Sequence, residues 1–123
     1  MNKTGVLVTG VGGSGIGGQI LKALRMSSLP LHIIGTDTTE LSTGFKEVDE
    51  FNKVPLANEQ EYIPALVQIC RQWNIKIIFP GSEPELKVIS KNRHIFIDEG
   101  IVVPVIQKML LMFASINLRL INF

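Results

Sequence analysis

Three short stretches carry residue types that could do chemistry. The first is Val6-Leu7-Val8-Thr9-Gly10-Val11-Gly12-Gly13-Ser14-Gly15-Ile16-Gly17-Gly18, which holds six of the eleven glycines in the chain. Glycine permits positive φ and removes the Cβ atoms that would keep a ligand away from backbone N–H groups. A helix leaving such a loop adds unpaired N–H groups and the positive end of its dipole, a site suited to phosphate or carboxylate. The second is Asp37, about 20 residues after the loop, where an acidic group in a dinucleotide-binding unit takes a ribose hydroxyl pair. The third is Pro80-Gly81-Ser82-Glu83-Pro84-Glu85, a turn with a hydroxyl and two carboxylic acids.

Several fingerprints fit the glycine loop. Gly10-x-Gly12-x-x-Gly15 and Gly13-x-Gly15-x-x-Gly18 both match the dinucleotide pattern. Thr9-Gly10-x-x-x-Gly15-Ile16-Gly17 also resembles the cofactor loop of short-chain dehydrogenases. The same glycines would equally serve a tight strand-to-helix turn that binds nothing. No Gly-Lys-Ser/Thr follows, which excludes a Walker-type phosphate site. Dehydrogenases of the short-chain kind need a tyrosine with a lysine four positions later. The single tyrosine is Tyr62 and position 66 is Leu66, so that catalysis is absent, while NAD(P) binding stays open.

Elsewhere the candidates are plain. His32 and His94 are the only histidines, with no second ligand at metal spacing, and no zinc site is expected. Cys70 falls beside the apolar face of a helix and reads as core packing. Glu83 and Glu85 suit the positive end of a helix dipole. A sharper reading places Ser82 and Glu83 in a crevice wall opposite the glycine loop.

Elements to position these residues can be read in order. An apolar strand from Gly5 to Thr9 precedes a helix from Ile16 to Met26, with Ile16, Ile20, Leu21 and Leu24 on one face. A second strand, Leu31 to Gly35, leads into Thr36-Asp37. Glu50 to Val54 is a weaker outer strand. Tyr62, Leu66, Ile69 and Trp73 mark a second helix, begun by Asn58-Glu59-Gln60-Glu61 and ended at Asn74. Ile75 to Phe79 is a fourth strand. Glu85 to about Glu99 is a third helix, with Leu86, Ile89, Arg93 and Phe96 aligned, and Ile101-Val102-Val103 is a fifth strand. Alternating strands and helices predict an α/β, three-layer, Rossmann-like domain with a parallel sheet of about five strands, order 3-2-1-4-5. Ligands of such sheets bind at the carboxyl ends of the strands beside the switch point, here between the first and fourth strands. All three stretches meet there.

Bulk properties set the outer limits. With 123 residues, 46% of them hydrophobic and 19% charged, the chain suits one globular domain. A net charge of +1 calls for neither nucleic acid nor an acidic membrane surface as a partner. One cysteine suits a reducing compartment, and the apolar runs are too interrupted for a signal peptide or a membrane span; a cytoplasmic location is expected.

Taken together, Val6 to Gly18, Ile33-Ile34-Gly35-Thr36-Asp37 and Phe79-Pro80-Gly81-Ser82-Glu83-Pro84-Glu85-Leu86, with Ser90-Lys91-Asn92-Arg93 after them, resemble a known family. They are similar to the N-terminal pre-ATP-grasp domain of ATP-grasp ligases, in the group of the carbamoyl-phosphate synthase large subunit. The resemblance implies a ligase that activates a carboxylate as an acyl phosphate and joins it to an amine. It implies that this domain shapes the acceptor-substrate side of the cleft. ATP and magnesium are then held by the lobes that follow and not by this chain alone. Carried over by position, the glycine loop Gly10 to Gly18 and Ser82-Glu83 fall at that cleft; with Asp37 from the switch-point reading, the candidate binding residues are Gly10, Gly12, Gly13, Ser14, Gly15, Ile16, Asp37, Gly81, Ser82 and Glu83, and no catalytic residue is assigned. Residues 1–104 form the domain. The apolar stretch 105–123 is expected to be a remnant of the linker to missing ATP-grasp lobes, facing those lobes or a second copy of the chain. The alternative is a free-standing NAD(P)-binding module with Asp37 on the ribose.

Overall fold

A computed structural model describes residues 2–12, 15–39 and 47–104. Gly13, Ser14 and the apolar stretch 105–123 lie outside the described residues. Among the described residues eight elements follow one another: β1 (Thr4–Val8), α1 (Ile16–Met26), β2 (Leu31–Asp37), β3 (Glu50–Lys53), α2 (Tyr62–Gln72), β4 (Ile75–Phe79), α3 (Glu83–Lys91) and α4 (Arg93–Asp98). The strands form one parallel sheet in the order β3-β2-β1-β4.

Side-chain alternation along β1 explains the layers. Successive residues of a strand point to opposite faces. Val6 and Val8 therefore join Val11, Ile33, Ile20 and Leu21 in a core beneath α1. Leu7 points the other way, with Ile34 and Ile78, into a larger core built with Tyr62, Leu66, Ile69, Ile89 and Phe96. The second core is the one under α2, α3 and α4. Both faces of the central strands are covered, as an all-parallel sheet requires.

The expected fifth strand is not formed. Ile101–Val103 contributes a single parallel bridge, Ile77 to Val102. Val102 N–H donates to the Lys76 carbonyl at 2.8 Å and its own carbonyl accepts from Ile78 N–H at 3.1 Å. Gly100, at φ 77°, turns the chain in just before this segment, and Pro104, without an N–H, limits its continuation. The described sheet thus has four strands, with one residue in the fifth position.

The expected third helix is also two. The Asn92 side chain donates to the Val88 carbonyl at 2.9 Å, and Asn92 itself sits at φ −108°, ψ 20°. A side-chain amide bonding its own backbone competes with helix propagation. The restart turns Arg93 outward, whereas Leu86, Ile89 and Phe96 are buried. At the other end α3 begins at Glu83, earlier than the expected Glu85, because Ser82 caps it and Pro84 suits the first turn. The helix α2 begins at Tyr62 with Glu61 in the cap position and no side-chain capping bond, while Glu59 bonds the Leu56 N–H at 3.0 Å. It ends before Asn74, which takes φ 52°.

Candidate functional site

At the carboxyl ends of β1 and β4 two loops are locked together. Gly81 N–H donates to Thr9 Oγ1 at 3.0 Å, and the Gly81 carbonyl accepts from Gly17 N–H at 3.1 Å. Thr9 N–H donates in turn to the Phe79 carbonyl at 3.1 Å. The approach leaves no room for a Cβ: one built on Gly81 would overlap the Thr9 carbonyl oxygen and lie 2.8 Å from Gly17 Cα. Gly10 has φ 62°, the left-handed region that favours glycine.

Between these loops and β2 lies a crevice of about 340 Å³. Its wall includes Gly10, Gly12, Gly15, Asp37, Gly81 and Ser82 from the sequence-derived set, and adds Thr38, Pro84, Glu85 and the segment Val54–Ala57. Switch-point geometry therefore brings the glycine loop, the end of β2 and the Pro-Gly-Ser turn to one place. Ile16 does not line the crevice; it packs on Leu86 and on the core beneath α1. Glu83 does not line it either. Its side chain is exposed and lies 3.9 Å from Lys87 one helical turn on.

Glu85 is the acid that turns inward. It is buried, and its carboxyl group accepts from the Tyr62 hydroxyl at Oε2 and from Ser82 Oγ at Oε1, the latter at 2.9 Å. Ser82 Oγ also accepts from Glu85 N–H at 3.4 Å. Burial pushes the Glu85 carboxyl above the usual carboxylate range. The Tyr62, Ser82 and Thr9 hydroxyls pull it down and the Asp37 charge adds to the rise. Tyr62 is pushed up as well, by burial first and then by Glu85. Sequence reasoning placed Tyr62 in the core and Glu85 at a helix start, and missed that the two meet. A signal was present: Ser82-x-x-Glu85 is a capping-box pattern, which marks Glu85 as a third-position residue facing back over the helix start.

Asp37 ties the loop from the other side. Its Oδ2 accepts from Gly12 N–H at 2.6 Å and its Oδ1 from Thr38 N–H at 2.7 Å. An N–H group of the glycine loop thus already faces an anion, the protein's own carboxylate. Gly17 N–H, one of the free N–H groups at the start of α1, is taken by Gly81. Among the described residues that line the crevice, the ionisable side chains are Asp37 and Glu85, both acids. Among those described residues no lysine or arginine stands there to pair with a phosphate. Nor does any group of three or more His, Cys, Asp or Glu stand together among the described residues as metal ligands.

Cys70 is buried, and burial, then Glu99, push its thiol up to about 12. His32 lies in β2 edge-on to Trp73, and His94 is exposed on α4. No helix among the described residues is long and apolar enough to cross a membrane.

No curated protein matches the chain. The family model of the PylC-like N-terminal domain matches residues 6–106. That span runs from β1 through Asp37 and Glu85 to the end of the described fold. The chain belongs to the PylC-like N-terminal domain family, and is a pre-ATP-grasp domain of the ATP-grasp ligase type.

Proposed function

We propose that this domain shapes the acceptor-substrate side of the cleft in an ATP-grasp ligase of the carbamoyl-phosphate-synthase-like group, and that its crevice takes the amine-bearing small molecule. The ligase reaction joins a carboxylate, activated as an acyl phosphate, to an amine. ATP and magnesium are assigned to other parts of the ligase.

One observation carries the reading: the crevice presents two carboxylic acids, Asp37 and Glu85, and no cation among its described residues. Opposite charge attracts and like charge repels across a few ångströms, so an ammonium group is favoured there and a pyrophosphate disfavoured. The occupied N–H groups of Gly12 and Gly17 point the same way. A second reading, NAD(P) binding, draws on the place of Asp37 on the crevice wall after β2.

A thermal-shift panel separates the two. The purified chain is heated with putrescine, ethanolamine, a set of amino acids, ATP plus magnesium, NAD and NADP. A ligand at one hundred times its dissociation constant stabilises by about 2.7 kcal/mol, a shift of several degrees. The expected result is a shift with amines that falls in Glu85→Gln and in Asp37→Asn. A shift with NAD or NADP that vanishes in Asp37→Ala would overturn this in favour of a dinucleotide module.

A further inference from the structure

Tyr62 stands on the core-facing side of α2 and is 1% exposed, yet its hydroxyl is spent on a group of the crevice. It donates to Glu85 Oε2 while Ser82 donates to Oε1. An ionised carboxylate has about four acceptor positions. The hydroxyls around Glu85 leave acceptor capacity for a donor in the crevice that Glu85 lines. Gly10 closes the other side, since a Cβ there would come within 2.5 Å of Glu85 Oε1.

We propose that Tyr62 is a positioning residue of this crevice: it holds the Glu85 carboxyl group against Gly10, and so sets the pH range over which an amine binds. The inference rests on the amine reading above and deepens it. The groups facing Glu85 are Tyr62 from α2, Asp37 from the end of β2, Thr9 after β1 and Ser82 after β4. Asp37 is the charged one. An ammonium ligand binds the ionised carboxylate, so its affinity climbs with pH until Glu85 has titrated. Burial holds Glu85 neutral to higher pH than usual, and the Tyr62 hydroxyl opposes that. Removing the hydroxyl takes away a donor to the ionised form and moves the titration upward.

The test reads Glu85 directly. Its side-chain carboxyl carbon is followed by NMR against pH in the ligand-free wild type, Tyr62→Phe and Ser82→Ala. Putrescine affinity is measured by calorimetry over the same pH series. Tyr62→Phe should raise the Glu85 midpoint by about one pH unit, which weakens putrescine about tenfold below the midpoint and leaves it unchanged well above. Ser82→Ala, on the crevice side, should shift the midpoint the same way and serves if Tyr62→Phe does not fold. An unmoved midpoint with putrescine still bound, or a loss of affinity equal at every pH, overturns the role of Tyr62. A wild type that binds neither putrescine nor any other amine overturns the amine reading instead.

Discussion

Replacing Gly81 by alanine tests whether the two loops are packed as tightly as described. The methyl group would fall on the Thr9 carbonyl oxygen, with Gly17 Cα 2.8 Å away and the Thr9 carbonyl carbon 3.0 Å away. All of these are backbone atoms, which cannot rotate aside as a side chain would. Overpacking of a tight site costs about 1–3 kcal/mol. Two hydrogen bonds pass through the same residue, Gly81 N–H to Thr9 Oγ1 and Gly17 N–H to the Gly81 carbonyl. Each contributes about 1 kcal/mol. Relief of the overlap by moving the loops apart would strain both. The sum is a loss of about 3–5 kcal/mol, a large part of the roughly 5–15 kcal/mol available to a domain. Melting should drop by about 10–20 °C, followed by circular dichroism during heating and by urea denaturation. Gly15→Ala is the control. Its Cβ meets nothing within 4 Å, and its φ of −83° suits alanine. The gain from a stiffer unfolded chain offsets the weaker helix cap, leaving it within about 1 kcal/mol of wild type. A Gly81→Ala protein as stable as Gly15→Ala would refute the close contact of the two loops.

Three further outcomes are expected. Glu85 has its folded pKa raised above the unfolded value, so its contribution to stability is present at low pH and is lost as pH rises through the folded pKa. Glu85→Gln should therefore be more stable than wild type toward neutral pH and show a flatter pH dependence, measured by urea midpoints across a pH series. The Cys70 thiol should resist alkylation in the folded protein and react rapidly once urea unfolds the chain, because it is 3% exposed and pushed up to about 12. Asn74 sits at φ 52°, so Asn74→Ala should cost about 1 kcal/mol in denaturation experiments while Asn74→Gly costs less.

Much of the scaffold was legible because it follows from local periodicity and chain handedness. The alternation of strands with helices anticipates a parallel sheet, and the right-handed crossover rule orders the strands correctly as far as the fourth. Where local side-chain chemistry competed with periodicity, the reading failed. Leu86, Ile89, Arg93 and Phe96 look like one helical stripe, but the Asn92 amide bonds the backbone and restarts the helix. Ile101–Val103 has the composition of a strand, and its flanking Gly100 and Pro104 reduce it to a bridge.

By itself the sequence determined the parallel α/β frame, the glycine-rich turn after β1 and the convergence of that turn with Asp37 and the Pro-Gly-Ser turn. These depend on residue type and on spacing along the chain. Only the tertiary structure decided which acid serves the crevice. Glu83 and Glu85 differ by two positions, and the Ser82 cap sets the helix phase that sends Glu83 to solvent beside Lys87 and Glu85 inward. The partner that receives Glu85, Tyr62, lies 23 residues away on another helix. Asp37 likewise meets Gly12 across 25 residues. Burial and long-range pairing of this kind arise when elements pack, and packing is where the charge of the crevice was decided.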